Sequence, residues 1–275
     1  MTTAATGSSL PSRSLSIIGG VVRAVLFDLD DTLFDHRHCA RSALAGVRRL
    51  HTCFEAIEEA QLEAAHAGIL EELHLEVLAG RLDIDAARIE RFRRLYERAG
   101  IQPDDDLAVR TAHAYRDHYM QARAPIQGAI PLLEAVRRHA QVVVVSNNLL
   151  KEQQAKLRDC GLDRYVDVLV VSEEAGVSKP DPGIFTIALA RARVAPGEAV
   201  MVGDSWANDI EGARRVGIPA IWFNRDGTPS PDPRVPTLHS LEPADEVLKR
   251  ILDTAAEQSR TKNGRQGTLN PVRPT

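Results

Sequence analysis

The feature that most constrains this chain is a set of apolar runs with little polar alternation: VVRAVLF at 21–27, QVVVVS at 141–146, VDVLVVS at 166–172, EAVMVGD at 198–204 and IPAIWF at 218–223. A strand with one solvated face alternates apolar and polar residues, whereas a strand covered on both faces does not. Helical segments separate the runs, so the pattern predicts an α/β fold with a doubly wound parallel sheet. With 275 residues, 44% of them hydrophobic, the chain has the material for such a core.

Between the first two runs more than a hundred residues show no strand signal. DAARIERFRRLYERAG has Asp85 as a candidate N-cap, Ile89, Phe92, Leu95 and Ala99 on one face, and Gly100 as a stop. Leu107, Thr111, Tyr115 and Tyr119 form another helical stripe. The Pro/Gly-punctuated APIQGAIP at 124–131 returns the chain to the sheet. The expected organisation is a leader at 1–20, a sheet domain from 21–35 and 123–250, an all-helical insertion at 36–122, and a tail at 258–275.

Every acid lies within residues 21–257, while Arg13, Arg260, Lys262, Arg265 and Arg273 lie outside, so the body is more acidic than the net charge of −4 indicates. Such a body repels nucleic-acid phosphates, and no nucleic-acid partner is expected. No run approaches the ~18 apolar residues of a membrane span. Cys39, Cys53 and Cys160 are scattered without metal-ligand spacing, which fits a reducing cytoplasm.

The first run ends in acids, Asp28, Asp30 and Asp31. In an open α/β sheet, ligands bind beyond the carboxyl ends of the strands. Residues two apart on extended backbone point the same way, so Asp28 and Asp30 can share a site. Carboxylates held together raise each other's pKa unless a cation joins them, and a divalent ion is the usual remedy. Ser146 ends a second run and offers a hydroxyl for a phosphoryl oxygen. Lys179 sits in a short loop before a helix, and a further run ends in Asp204 with Asp209 five residues on. Each has a plainer reading, as helix cap, surface charge or turn residue. Their shared placement at strand ends or in the following connections sets the plain readings aside.

These residues closely resemble the motifs of the haloacid dehalogenase (HAD) superfamily: DxDxT as Asp28-Leu29-Asp30-Asp31-Thr32, then Ser146, then Lys179 in SKP, then GDSWAND with Asp204 and Asp209. The resemblance covers about residues 21–245 and likens the 36–122 insertion to that family's type 1 helical cap. It implies a Mg2+-dependent phosphatase. Asp28 would attack a phosphomonoester to form an aspartyl phosphate, and Asp30 would serve as general acid and base. Mg2+ would be held by Asp28, the Asp30 main-chain carbonyl, Asp204 and, in an outer position, Asp209. Ser146 and Lys179, with amides near Asn147, would bind the phosphoryl oxygens. Asn208 would orient Lys179 or Asp209, or else lie on a helix surface.

Three other readings stay open. Dehalogenases of the family carry DxYxT, since halide leaves without a proton, and Asp30 departs from that pattern. Sugar-phosphate mutases usually have DGV after the first acids, where this chain has Asp31-Thr32. A non-catalytic ligand binder has no physical need for clustered carboxylates. The expected partner is a small phosphomonoester such as a nucleotide, flavin mononucleotide or sugar phosphate. Phe34, His36 and Arg37 are expected at the entrance, with Tyr115, Arg116 and Tyr119 as either substrate contacts or packing. His36 and His38 are either a second metal pair or, as the scattered spacing of the other histidines favours, solvated helix positions, and Cys39 is a candidate oxidant-sensitive thiol.

Overall fold

The computed structural model describes residues 22–266, and side chains as far as Glu257. The apolar runs become β1 (Ala24–Phe27), β2 (Gln141–Ser146), β3 (Val168–Val171), β4 (Ala199–Gly203) and β5 (Ala220–Phe223). A short edge strand, β6 (Thr237–Leu238), completes one parallel sheet in the order β3-β2-β1-β4-β5-β6. The doubly wound α/β fold expected from the runs is therefore the fold observed. Its two faces explain their composition. Val25 and Phe27 belong to the core that includes Leu132, Leu133 and Ile251, whereas Ala24 and Leu26 join Ile184, Phe185 and Met201. Truncating Phe27 to Ala would cost about 3–5 kcal/mol.

β1 is central, and the chain builds outward to β2 and β3 before crossing back to β4 on its other side. That reversal creates the crevice where α/β sheets bind ligands. Phe27 is level with Val144 of β2 and Val202 of β4, so the segments following these three strands emerge side by side.

After β1 come α1 (His36–Leu50), α2 (Thr52–Glu55), α3 (Glu59–Leu78), α4 (Ile84–Arg98) and α5 (Asp105–Gln121), before α6 (Ala129–Arg137) leads into β2. Acidic caps start the long ones: Asp35 accepts from the His38 N–H and Asp104 from the Leu107 N–H. The α4 cap is Asp83, which accepts from the Asp85 and Ala86 N–H groups, and not Asp85. Asp85 instead occupies the first turn, where its charge favours the helix N-terminus. Gly100, at φ +76°, ends the helical path in a left-handed turn. Phe92, Leu95, Thr111, Tyr115 and Tyr119 are buried where α4 packs on α5, while α1 packs on α5 and α3 on α4.

The rest comprises α7 (Leu150–Asp159), α8 (Ser172–Ala175), α9 (Pro182–Ala192), α10 (Gly212–Arg215) and α11 (Ala244–Gln266). α11 continues through residues 258–266, which the sequence reading placed in a tail. The leader at 1–20 and residues 267–275 lie outside the described residues. No helix among the described residues is long and apolar enough to cross a membrane.

Candidate active site

The chain leaves β1 in a tight turn. The Leu29 carbonyl accepts from the Leu33 and Phe34 N–H groups, both at 2.9 Å, and the Asp31 N–H donates to the Phe34 carbonyl at 2.7 Å. Asp31 adopts φ +64°, a left-handed geometry that Asp tolerates better than most residues. The turn delivers Asp28 and Asp30 to one cleft of about 410 Å3, whose lining also includes Ser146, Lys179, Asp204 and Asp209.

Around Asp28 the site is a buried cluster of acids held by one cation. Lys179 Nζ lies 2.6 Å from Asp28 Oδ1 and 2.7 Å from Asp209 Oδ1. Burial opposes the charge on Lys179, but Asp209 and Asp28 outweigh it and hold the amine protonated. Burial pushes the Asp28 pKa well up; Lys179 works against that rise, and Asp209 and Asp204 add to it. Asp204 is pushed up to about 7 by burial and by Asp209 and Asp31. Asp209 is fully buried, and its Oδ2 accepts from the Ser205 N–H at 2.9 Å. Gly203 makes room for it, since a Cβ there would stand 2.4 Å from the Asp209 carboxyl carbon. Asp204 is positioned by its main chain: its N–H donates to Thr32 Oγ1 at 3.1 Å, and its carbonyl accepts from Trp222 Nε1 at 2.7 Å.

Asp30 faces a different environment. Lys156 Nζ lies 2.5 Å from Asp30 Oδ1, and Gln153 Nε2 donates to Oδ2 at 2.9 Å and to Ser146 Oγ at 2.5 Å. Burial would raise the Asp30 pKa, but Lys156 first and His36 next reverse the sign and hold it well below the usual carboxylate range. Lys156 and Gln153 were not among the residues singled out in the sequence. The only available signal was helical spacing: Gln153, Lys156 and Leu157 form the buried face of α7, the helix that follows Ser146.

The remaining candidates take different places around the cleft. The Asn147 side chain donates to the Lys179 carbonyl at 2.8 Å and accepts from its N–H at 2.7 Å, so it braces the Lys179 loop. Arg37 does not line the cleft. It pairs with Asp226 at 2.5 Å and reaches Asp31 at 3.6 Å and Asp204 at 3.8 Å, bracing the acidic turn together with Arg225, 2.9 Å from Asp31. Phe34 is fully buried, because the turn curls it inward beneath Lys156. His36 does line the cleft, and its Nδ1 bonds the Tyr119 hydroxyl at 2.7 Å. Asn208 lines it too, with no side-chain bond to Lys179 or Asp209. Arg116 pairs with Glu152 at 3.2 Å. Cys39 is buried and its thiol is pushed up to about 11, which removes the thiolate character an oxidant-sensitive cysteine needs.

Among the described residues, the group of His, Cys, Asp or Glu side chains suited to a metal is Asp28, Asp204 and Asp209, with ligand atoms within 4.8 Å of one another. These are hard oxygen donors, and burial first and neighbouring acids next disfavour the charged forms of Asp28 and Asp204, a cost that a divalent cation would relieve. The Asp209 oxygens are already taken by Lys179 and the Ser205 N–H, which suits an outer position. The residues fit Mg2+.

A family model described as a haloacid dehalogenase-like hydrolase matches residues 22–217. The chain is 32% identical to a glyceraldehyde 3-phosphate phosphatase of Methanopyrus kandleri over 86% of this chain and 98% of that one. A Bacillus subtilis HAD-hydrolase, YfnB, solved bound to magnesium, superposes with a TM-score of 0.65 at 25% identity, covering 85% of this chain and 99% of that one. A 2-haloacid dehalogenase of Pseudomonas syringae superposes with a TM-score of 0.56 at 29% identity, covering 84% and 99%. The fold alone thus accommodates both chemistries. By its matched segment, its phosphatase relative and its paired aspartates, the chain belongs to the haloacid dehalogenase-like hydrolases, as a HAD-type phosphatase.

Proposed function

We propose that the chain hydrolyses small phosphomonoesters with Mg2+ through an aspartyl phosphate on Asp28. An Asp28 oxygen bonds to phosphorus as the bond to the leaving oxygen breaks, and that oxygen takes a proton from Asp30. Water then attacks the phosphorus, gives its proton to Asp30, and releases Asp28 with inorganic phosphate. Two smaller barriers replace one large one.

The observation that carries this reading is that both carboxylates line one cleft with Ser146, each against its own lysine, Asp28 on Lys179 and Asp30 on Lys156. The nucleophile must be ionised, which Lys179 favours at Asp28 against the effect of burial. The ionised Asp30 of the free site is ready to act as the base of the second step. Its acid role in the first step requires the phosphoryl dianion to raise its proton affinity against Lys156. Ser146 Oγ and Lys179 Nζ would bind equatorial phosphoryl oxygens, and Lys179 also holds Asp28 toward its ionised form. Mg2+, held by Asp28, Asp204 and the Asp30 carbonyl with Asp209 outside, would supply charge that keeps the acids ionised and offsets the phosphoryl oxygens. The three unpaired cysteines suit a reducing cytoplasm.

The test is release of phosphate from a panel of nucleoside monophosphates, flavin mononucleotide and sugar phosphates, beside chloride release from 2-chloropropionate, with and without EDTA. Phosphate release that EDTA abolishes and Mg2+ restores is the expected result. Chloride release indifferent to chelation would replace the reading with a dehalogenase.

A further inference from the structure

A second cavity of about 120 Å3 is lined by residues of α3, α4, α5 and α7, and it adjoins the catalytic cleft: His36, Leu70, His74, Asn148 and Lys156 line both. Its remaining lining includes Arg88, Arg91, Tyr115 and Arg116. Of the cations there, three are committed. Lys156 pairs with Asp30 at 2.5 Å, and Arg88 and Arg116 pair with Glu152 at 2.9 and 3.2 Å. Glu152 is further shared with Arg123 at 3.8 Å.

Arg91 is the exception. It is nine-tenths buried, yet among the described residues no hydrogen bond or ion pair engages its guanidinium, and Nε is without a partner. Its guanidinium packs on ring faces, with Cζ 5.1 Å from the Tyr115 centroid and 5.7 Å from that of Phe92. The Tyr115 hydroxyl is buried and unpartnered as well. The carboxylate that lines the cavity, Glu152, is already shared among Arg88, Arg116 and Arg123. His66, in ring contact with Tyr115 and Phe92, has its pKa driven well below the ordinary value by burial and by Arg91. Burying a charge without a counter-ion is costly, and the cost is relieved when a ligand brings the acceptor.

We propose that the substrate's leaving group carries a second anion, a carboxylate or phosphate, that enters this cavity, pairs with Arg91 and accepts from the Tyr115 hydroxyl. The inference rests on the phosphatase reading and sharpens its substrate class to phosphorylated short-chain acids and bisphosphates. A planar guanidinium suits either oxyanion. The cavity has room for a chain of a few heavy atoms, given that one water takes roughly 10–15 Å3.

The test compares kcat/KM for 3-phosphoglycerate and 1,3-propanediol bisphosphate against glycerol 3-phosphate, with p-nitrophenyl phosphate reporting the chemistry itself. Wild type is expected to favour at least one anionic substrate over glycerol 3-phosphate by about 10- to 100-fold. That ratio should collapse in Arg91→Gln, chiefly through KM, recover in part in Arg91→Lys, and fall less in Tyr115→Phe. The two anionic arms tell carboxylate from phosphate. A wild-type ratio near one, or a ratio unmoved by Arg91→Gln, overturns the proposal. Should Arg91→Gln fail to fold by circular dichroism, Arg91→Lys and Tyr115→Phe decide by the same ratio. Absence of phosphate release from every ester, p-nitrophenyl phosphate included, would be the failure of the phosphatase reading. Calorimetric binding of 3-phosphoglycerate then decides: loss in the Arg91 variants supports the anion site, and equal or absent binding overturns it.

Discussion

The carboxyl edge of the sheet and the helical region beside it differ in how they hold their most buried cations. At the sheet edge each cation has its acid: Lys179 spans Asp28 and Asp209, and Lys156 holds Asp30. Among the helices, Arg91, His66 and Tyr115 keep buried polar atoms without partners. The edge is therefore preorganised for a reaction that is the same for any phosphomonoester. The helices carry unbalanced donors whose acceptor must come with the ligand. Chemistry and selectivity are divided between the two regions.

The largest expected effect lies at the edge. Asp28→Asn should reduce phosphate release by at least about 10^4-fold with the fold retained, as measured by steady-state assay and circular dichroism. Full activity in the purified variant would remove the nucleophile from the account.

Replacing a cation sharpens the contrast in stability. Lys179→Met leaves buried acids without their counter-ion and should cost about 3–5 kcal/mol, part of it returned by Mg2+. Arg91→Met removes a charge that has no partner, and should cost less than about 1 kcal/mol or stabilise. Chemical denaturation of the two variants reads this directly; similar losses would erase the distinction between the regions.

Lys156 acts through Asp30. Lys156→Met frees Asp30 from its partner and raises its proton affinity, so it is expected to change kcat and move its pH profile upward in the wild-type background and to add little in Asp30→Asn. Additive losses would mean that Lys156 contacts the substrate by itself.

The smallest effect concerns His66, whose depressed pKa makes its charged form unwelcome in the folded state. The unfolded chain binds that proton near pH 6.5 and the folded chain does not, so stability contributed here is intact above pH 6.5 and declines as pH falls below it. His66→Gln should flatten this part of the stability profile, relative to wild type, between about pH 6.5 and 5. Unchanged curvature would place a compensating group beside the imidazole.

The sheet was legible because burial on both faces writes continuous Val, Ile and Leu, and β6 escaped because two residues carry no pattern. Asp28, Asp30, Ser146 and Asp204 were legible because strand ends in such a sheet are where polar side chains converge. Lys156 was not, since a lysine on an amphipathic helix reads as a solvated charge until the helix is docked; here it is 4% exposed. Arg37 and Phe34 were misplaced for a related reason. The direction of each depends on a turn whose hydrogen bonds to Leu29 and whose left-handed Asp31 fold Phe34 inward and Arg37 onto Asp226. Asp83 displaced Asp85 as a cap because both offer the same carboxylate, and only backbone geometry separates them.

The central claim is most directly tested by acid-quenching the enzyme during turnover of a phosphorus-32-labelled ester and locating covalent label by peptide mass spectrometry. The account predicts a hydroxylamine-labile phosphoryl group on Asp28, present in wild type and missing in Asp28→Asn. Sustained phosphate release with no covalent label on Asp28 would contradict it.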